Sequence, residues 1–229
     1  MKFAVISDIH ANPWALEVVL EQLHDVDEIF CLGDVVGIGP DPSGALEMLM
    51  RERRLICVMG NHDHNTIFGT ELGPLNFVPR RPHHEWVRNE LSEAQLEFLK
   101  VPMSISKEEG IRFQFMHRHP QDCGSKVPYF DDGSPEVLDD FYSDVPGDVL
   151  FFGHTHFEMD VTGRTGRRYL NPGAVGAQNG GSAHFLKVIA GEDYFEIEKA
   201  SASYDLGAVK EELDRIKPPY WEFIRGHFF

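Results

Sequence analysis

The chain has 229 residues, in which 37 Asp and Glu outnumber 21 Lys and Arg, so its formal net charge is −16 at pH 7. This acidic balance argues against a protein that binds large nucleic acids or membrane surfaces through basic patches. Hydrophobic residues make up 42% of the chain, enough for a sizeable core, and no apolar run approaches the ~18 residues of a membrane helix. Because the three cysteines form no CxxC pair and the N-terminal apolar stretch is too short for a signal peptide, we expect a cytoplasmic protein.

Short apolar runs alternate with helix signals in the N-terminal part of the chain. Residues 3–6, 29–32 and 55–59 are apolar runs bounded by polar residues, which predicts buried strands. Asn12-Pro13, a typical helix start, follows the first run, and a second amphipathic helix pattern follows the second run. Such an order of strands and helices predicts a parallel sheet with helices outside it.

Residues 66–103 interrupt this alternation. They are predicted to form a loop and then helices, because Ser92 and Gln95 have the spacing of a capping box. We interpret the segment as a helical, cap-like insertion on the sheet. The segment carries two pairs of like residues, Arg80-Arg81 and His83-His84. A solvent-exposed helix face is the favoured interpretation of these pairs, and a role in a binding site is the alternative.

The rest of the chain is rich in strand signals. Further strands are predicted at residues 111–116, 149–152, 168–170, 184–189 and 194–199. The last three have the pattern of antiparallel strands, and a closing helix follows them. We therefore predict one α/β domain over residues 1–229, in which two mixed β-sheets pack face to face with flanking helices, a four-layer α-β-β-α sandwich.

Five of the predicted strands end in side chains that can bind metal ions. These are Asp8 and His10, Asp34, Asn61 and His62, His117, and His154 and His156. The functional crevice of an α/β sheet lies outside the carboxyl ends of its strands, so the fold would bring these groups together. Their oxygen and nitrogen atoms suit Mn, Fe, Zn, Co or Ni. So many candidate ligands exceed the four of one tetrahedral ion and favour two ions bridged by a carboxylate.

A structural interpretation competes with this one for each residue taken singly. An Asp after a strand is most often a helix cap or turn former, and a single His is most often a hydrogen-bonded structural residue. The joint occurrence of these residues favours a metal site. Gly33, Gly60 and Gly153 lie beside them, and glycine allows the backbone to approach a ligand closely.

The same residues resemble the five sequence blocks of the calcineurin-like metallophosphoesterase superfamily. The matching blocks are Asp8-Ile9-His10, Gly33-Asp34, Gly60-Asn61-His62-Asp63, His117 and Gly153-His154-Thr155-His156. They occur in the family's order. A later segment, Asn171-Pro172-Gly173-Ala174-Val175-Gly176, resembles a turn of the family's small bacterial and archaeal phosphodiesterase-like branch.

The resemblance implies a hydrolase of phosphodiester, or alternatively monoester, bonds that uses a hydroxide bridging two divalent metal ions. The ions could be Mn, Fe, Zn, Ni or Co. The family pattern assigns one ion to Asp8, His10, Asp34 and His156, and the other to Asp34, Asn61, His117 and His154. It also implies that His62 is a catalytic residue over the substrate and that Asp63 orients it.

Three positions near these blocks leave alternatives open. The run after Asp34 lacks the arginine of protein phosphatases and of symmetrical diadenosine tetraphosphate hydrolases, which weakens both of those interpretations. Arg118 could bind a substrate phosphate or pair with a surface carboxylate. His119 is the alternative to His117 as a ligand, and we favour His117 because it directly follows the apolar strand.

Two other function classes compete with a phosphoesterase of small substrates. A catalytically silent scaffold of the same fold should have lost ligands, yet every ligand position and His62 are intact. A nuclease acting on large nucleic acids conflicts with the acidic charge, which leaves a small phosphate ester or nucleotide as the expected substrate. The aromatic C-terminal tail, from Tyr220 to Phe229, is expected to pack on its own domain, and a homo-oligomer interface is the alternative.

Overall fold

Two five-stranded sheets form the centre of the computed structural model, which describes residues 1–69, 81–119 and 133–229. In spatial order, the first sheet contains β10 (Phe195–Ser203), β9 (Ser182–Ala190), β1 (Lys2–Ile6), β2 (Glu28–Cys31) and β3 (Leu55–Cys57). The second contains β4 (Ser104–Glu109), β5 (Ile111–Met116), β6 (Val149–Phe151), β8 (Arg168–Pro172) and β7 (Glu158–Thr162). The strands β1, β2 and β3 are parallel, as are β5, β6 and β8, and antiparallel strands complete both sheets.

Helices cover the outer faces of the two sheets. Those described are α1 (Pro13–Leu20), α2 (Pro42–Arg51), α3 (Asn61–Phe68), α4 (Arg81–Glu90), α5 (Glu93–Phe98), α6 (Pro135–Phe141), α7 (Leu206–Ile216) and α8 (Trp221–His227). Two predicted helix starts are confirmed, because the Asn12 side chain accepts a hydrogen bond from the Ala15 N–H and Ser92 forms a capping box with Gln95. In the described part of the chain, no helix has the length and apolar character needed to cross a membrane.

Aromatic side chains fill the space between the sheets. Phe3 of β1 packs edge-on against Phe113 and Phe151 of the second sheet, with ring centroids 5.5 and 6.0 Å apart. Phe30 of β2 stacks on Phe115, with ring centroids 3.9 Å apart. Two further apolar clusters lie on the outer faces, one beneath α1, α2 and α7 and the other beneath α6. The predicted four-layer α-β-β-α arrangement of two mixed sheets is therefore confirmed.

Some elements differ from the sequence-based prediction. The edge strands β4 and β7 were not predicted, because polar residues interrupt their apolar pattern and only their pairing with a neighbour defines them. The strand β8 was expected to be antiparallel, but it pairs in parallel with β6 and antiparallel only with β7. In the C-terminal tail, Ile224 and Phe229 are buried in the protein's own core, in agreement with the favoured interpretation.

The predicted insertion is described in part. Its residues 70–80, which include Arg80, lie outside the described residues. The described helices α4 and α5 pack against α2, and α4 also packs against α3. The interpretation of this segment as a cap on a single domain stays a prediction.

Candidate metal centre

The loops that follow β1 and β2 run side by side and are joined by backbone hydrogen bonds. The N–H of Asp8 donates to the carbonyl of Gly33 at 3.0 Å, and the N–H of His10 donates to the carbonyl of Asp34 at 2.9 Å. A Cβ atom at Gly33 would clash with the backbone of Gly60, and one at Gly60 would clash with Asp34. The two glycines therefore allow these loops to approach each other closely.

Five of the seven predicted ligands adopt a left-handed backbone conformation that non-glycine residues rarely use. Their φ angles are 55° at Asp8, 48° at His10, 50° at Asp34, 71° at His154 and 65° at His156. Each such residue costs of order 1–3 kcal/mol and persists only where the surrounding structure imposes it. The hydrogen bonds between the loops supply that constraint here. Backbone strain of this kind concentrates at functional sites, so it supports a functional role for these loops.

A first group of side chains consists of Asp8, His10 and His156. The Oδ1 atom of Asp8 lies 3.6 Å from Nε2 of His10 and 3.4 Å from Nε2 of His156, and the two Nε2 atoms are 2.9 Å apart. The other oxygen of Asp8 accepts the backbone N–H of His154, which leaves Oδ1 buried with no hydrogen-bond partner among the described residues. Two ligands about 2.1 Å from one ion lie about 3 Å apart or slightly more, so this spacing fits a divalent ion.

A second group consists of Asp34, Asn61, His117 and His154. Because a carbonyl only accepts hydrogen bonds, Nδ1 of His117, 2.9 Å from the carbonyl oxygen of Leu32, carries a proton. Its Nε2 lies 3.2 Å from Oδ2 of Asp34 and 3.2 Å from Oδ1 of Asn61. In a neutral ring, this Nε2 would turn a lone pair toward two oxygen atoms. A cation or a proton is needed among these atoms, and the donor set fits a metal ion.

The carboxylate of Asp34 lies between the two groups. Its Oδ2 atom is 3.2 Å from Nε2 of His117 and 3.9 Å from Nε2 of His10. Its Oδ1 atom accepts the backbone N–H of His62 at 2.8 Å, which fixes the orientation of the carboxylate. One carboxylate oxygen of Asp34 is therefore within 4 Å of a histidine from each group.

The buried carboxylates are held in their charged form. Burial opposes charge on Asp8, but the neighbouring His156 and His10 hold the pKa of its carboxyl well below the usual range. Burial also opposes charge on Asp34, but attraction to His117 and other histidines lowers its pKa below the usual range. Asp8 and Asp34 therefore both present anionic oxygen atoms at neutral pH.

The buried histidines divide into two kinds. Burial lowers the pKa of His10, and burial together with the charge of His117 lowers the pKa of His154 to about 3. Both rings are therefore neutral and able to act as ligands at pH 7. Burial opposes charge on His117 as well, but attraction to Asp34 outweighs it and raises the pKa of His117 to about 9. A metal ion would take the place of that proton, since metal binding displaces protons from ligands.

His62 lies beside these groups, at the N-terminus of α3. Its ring centroid is 5.1 Å from that of His10, and only 9% of the residue is exposed. Its Nδ1 atom lies 3.1 Å from Nε2 of His84 on α4. His84 was not among the predicted site residues.

Asp63 was predicted to orient His62, and the structure corrects this contact. Oδ1 of Asp63 accepts the backbone N–H groups of Val35 and Val36, at 2.9 and 3.1 Å, and Oδ2 accepts that of Gly60 at 3.0 Å. Asp63 therefore joins the loop that carries Asp34 to the first turn of α3. Asp63 therefore influences the position of Asp34 through hydrogen bonds with the backbone.

The exposed-face interpretation of the histidine pair is wrong. His83 is 5% exposed and His84 is 3% exposed, whereas Arg81 is exposed and pairs with Glu85 at 2.9 Å. The burial of these histidines is not apparent from the sequence of α4, because most of its residues are polar. However, His84 lies three residues before the buried Val87, on the same helix face. That spacing is the signal in the sequence that could have indicated burial.

The two residues after His117 have different environments. Arg118 is 5% exposed, and its charge adds to the burial and to the His117 charge that lower the pKa of His154. His119 lies with Nε2 2.8 Å from a carboxylate oxygen of Asp144. Of the two candidate ligands flanking Arg118, the structure brings His117 into the group and pairs His119 with Asp144.

The segment from Asn171 to Gly176 braces the ligand loops. The Asn171 side chain donates to the carbonyl of Gly153 at 2.8 Å and to the hydroxyl of Thr155 at 3.1 Å. The N–H of Gly176 donates to the carbonyl of Asp8 at 2.9 Å. The conformation of both ligand loops thus depends on this turn.

Comparisons with known proteins agree with this geometry. The family model of the calcineurin-like phosphoesterase superfamily domain matches residues 1–190. A protein of Methanocaldococcus jannaschii, "Uncharacterized protein MJ0912", is 30% identical over 236 residues, which cover 95% of this chain and 94% of that protein.

Two solved structures are similar in fold over the whole chain. A metallophosphoesterase from Sphaerobacter thermophilus has a TM-score of 0.78 at 24% identity, covering 100% of this chain and 98% of its own. The hypothetical protein PH1004 from Pyrococcus horikoshii OT3 has a TM-score of 0.83 at 18% identity, covering 100% and 97%.

Proposed function

Because this chain belongs to the calcineurin-like phosphoesterase superfamily, we propose that it is a metal-dependent hydrolase of phosphodiester bonds that uses two divalent ions. The observation that carries the proposal is the position of Asp34 between two groups of buried and partly buried candidate ligands. One ion would be held by Asp8, His10, Asp34 and His156, and the other by Asp34, Asn61, His117 and His154. Ions bound there would supply Lewis acidity and a hydroxide nucleophile near neutral pH.

His62 is proposed to act directly on the substrate. It lies beside the first ligand group, and its Nδ1 side faces His84. In this position it can stabilise charge on the transferring phosphoryl group or protonate the leaving alkoxide. Such a group contributes roughly 10²–10⁴ to the rate.

Arg118 is proposed to bind a phosphate oxygen of the substrate. Arg118 directly follows His117 in the chain, and its positive charge contributes to the lowered pKa of His154. A buried guanidinium is the side chain best suited to hold a phosphate through two hydrogen bonds. Asp63 is proposed to be a positioning residue that holds the Asp34 loop through backbone hydrogen bonds.

The substrate class that we propose is a small phosphodiester or nucleotide. The formal charge of −16 opposes the approach of large nucleic acids, while bound divalent ions would make the centre itself attractive to one phosphate. The cytoplasm stays the predicted location, since a reducing compartment suits the free thiols of Cys31 and Cys57.

The proposal is tested by hydrolysis of bis(p-nitrophenyl) phosphate and of p-nitrophenyl phosphate by metal-depleted protein supplied with Mn²⁺. We expect turnover that requires the metal, and a loss of more than about a hundredfold in Asp34→Asn, because removing a ligand costs more than removing a residue that supports one. The control is Asp148→Asn, which removes an exposed aspartate paired with Arg112 and should retain turnover. Absence of turnover with both esters across Mn²⁺, Fe²⁺, Zn²⁺, Co²⁺ and Ni²⁺ would contradict the proposal.

A further inference from the structure

His84, a buried histidine beside His62, has none of the roles assigned so far. His84 of α4 approaches His62 with its Nε2 atom 3.1 Å from Nδ1, and the two ring centroids are 5.0 Å apart. Both residues are buried, with exposed fractions of 3% and 9%. In a hydrogen bond between two neutral imidazoles, one nitrogen carries the proton and the other accepts it, so the bond selects a tautomer for each ring.

His84 has a fixed position because α4 is anchored on both sides. Nε2 of the preceding residue, His83, accepts the backbone N–H of Ile38 at 2.9 Å. Arg88, one turn later, donates to the carbonyl of Thr66 at 3.1 Å, near the C-terminal end of α3. The helix therefore joins the loop that follows Asp34 to the helix that carries His62.

The main chain leaves room for this contact at Gly37. A Cβ atom at this position would clash with Nδ1 of His62, and the φ angle of Gly37 is 83°. A side chain placed here would compete with His84 for the Nδ1 edge of His62. The absence of a side chain at Gly37 and the presence of His84 therefore serve the same contact.

We propose that His84 is a positioning residue that donates its Nε2–H to Nδ1 of His62 and so keeps the proton of His62 on Nε2. This inference rests on the proposed function and deepens it, because it specifies His62 as a hydrogen-bond donor to the phosphate. In the opposite arrangement, a neutral His62 would direct a lone pair toward anionic phosphate oxygens, which repel it. In the proposed arrangement, Nε2–H of His62 donates a hydrogen bond to a phosphate oxygen, and this N–H bond stays intact.

The test compares two substitutions of nearly equal size. In His84→Gln, the side-chain amide can still donate to Nδ1 of His62, whereas in His84→Glu the ionised carboxylate can only accept. We expect His84→Gln to retain kcat within about threefold of wild type. For His84→Glu we expect kcat to fall about 10²-fold with KM changed less than twofold, the cost of losing one well-placed donor. Melting temperatures of both variants report whether the fold is retained.

A second readout is independent of turnover. Long-range ¹H–¹⁵N spectra of ¹⁵N-histidine-labelled protein, assigned with His62→Asn, report which ring nitrogen of His62 carries the proton. We expect Nε2–H in the wild type and in His84→Gln, and Nδ1–H in His84→Glu.

The outcomes separate this inference from the proposed function. A proton on Nδ1 of His62 in the wild type, or His84→Glu as active as His84→Gln, would overturn the inference while leaving the metal-dependent hydrolase intact. Equal losses in both variants that follow their melting temperatures would also overturn it, because a purely structural role predicts them. If the wild type shows no turnover, the proposed function fails, and the spectra alone decide which nitrogen carries the proton.

Discussion

The loops after β1 and β6 bring histidines to the candidate centre, and so does the helix α4, but the loops and the helix hold them by different means. The loops carry His10, His154 and His156 in a left-handed backbone conformation that hydrogen bonds between the loops impose. The helix carries His83 and His84 in unstrained backbone, and their side chains make the contacts. The difference indicates that the ligand set is defined by the main chain, whereas the partner of His62 depends on how the helix packs.

Because of this difference, metal binding and the positioning of His62 should respond to different substitutions. Changes at the candidate ligands of the loops, or at residues that brace those ligands, should alter metal binding and turnover together. Changes in the helix or its contacts should alter turnover while metal binding is retained.

Gly37→Ala should impair the histidine pair most. The added Cβ would clash with Nδ1 of His62 and displace the ring, so we expect turnover to fall 10²–10³-fold, equivalent to about 3–4 kcal/mol. Metal content, measured by plasma mass spectrometry, should remain that of the wild type. Gly69→Ala is the matched control, because Gly69 also has a positive φ, of 65°, but no atom of the described residues lies within 4 Å of an added Cβ. Equal losses in the two variants would show that backbone strain, not the clash, causes the effect.

His83 should make the metal-free protein less stable in acid. Burial, with the charge of His84, lowers the pKa of His83 to about 4 from 6.5, so the unfolded chain binds a proton that the folded chain excludes. The stability due to neutral His83 is present above about pH 6.5 and is lost as the pH falls toward 4. The free energy of unfolding lost in this way amounts to about 3 kcal/mol.

The measurement is urea unfolding of the metal-free wild type and of His83→Gln at pH 7 and pH 4. The glutamine side chain can still accept the Ile38 N–H, and it does not titrate. The wild type should therefore lose about 3 kcal/mol more than the variant between the two pH values. Parallel losses in both proteins would show that His83 does not exclude a proton in the folded state.

Asn171→Ala should act on the loops. It removes the hydrogen bonds to the Gly153 carbonyl and to the Thr155 hydroxyl, and the free energy of unfolding should fall by about 1–2 kcal/mol. Mn²⁺ affinity, measured by calorimetry, should fall about tenfold or more, because residues that orient ligands influence metal binding. Unchanged affinity together with reduced stability would contradict the view that this turn braces the ligand loops.

The grouping of polar side chains at the strand ends could be predicted from the sequence because local signals specify where each strand ends. An apolar run followed after one residue by Asp8 and His10, or by His154 and His156, reveals both the strand and the loop that begins after it. The parallel order of strands then places these loops at one edge of the sheet. The same local reasoning predicted the central strands and the start of α1 at Asn12.

The features that escaped prediction depend on contacts between distant parts of the chain. The burial of His84 follows from the packing of α4 on α3, and its partner His62 lies 22 residues away. The carboxylate of Asp63 was expected to meet the adjacent His62 but meets the backbone of Val35 and Val36. The edge strands β4 and β7 likewise become strands through pairing with a neighbour, which a polar sequence does not reveal.

A centre with two ions can be tested by counting the Mn²⁺ ions that the protein binds at saturation, before and after one candidate ligand is removed from each group. The wild type should bind two ions per chain. His156→Ala should weaken the binding of one ion and Asn61→Ala that of the other, and in each variant the unaffected ion should stay bound. His119→Ala, which removes a histidine paired with Asp144, should bind two ions like the wild type. A wild-type protein that binds a single ion, or two variants that weaken the same ion, would contradict a centre built from two ligand groups around Asp34.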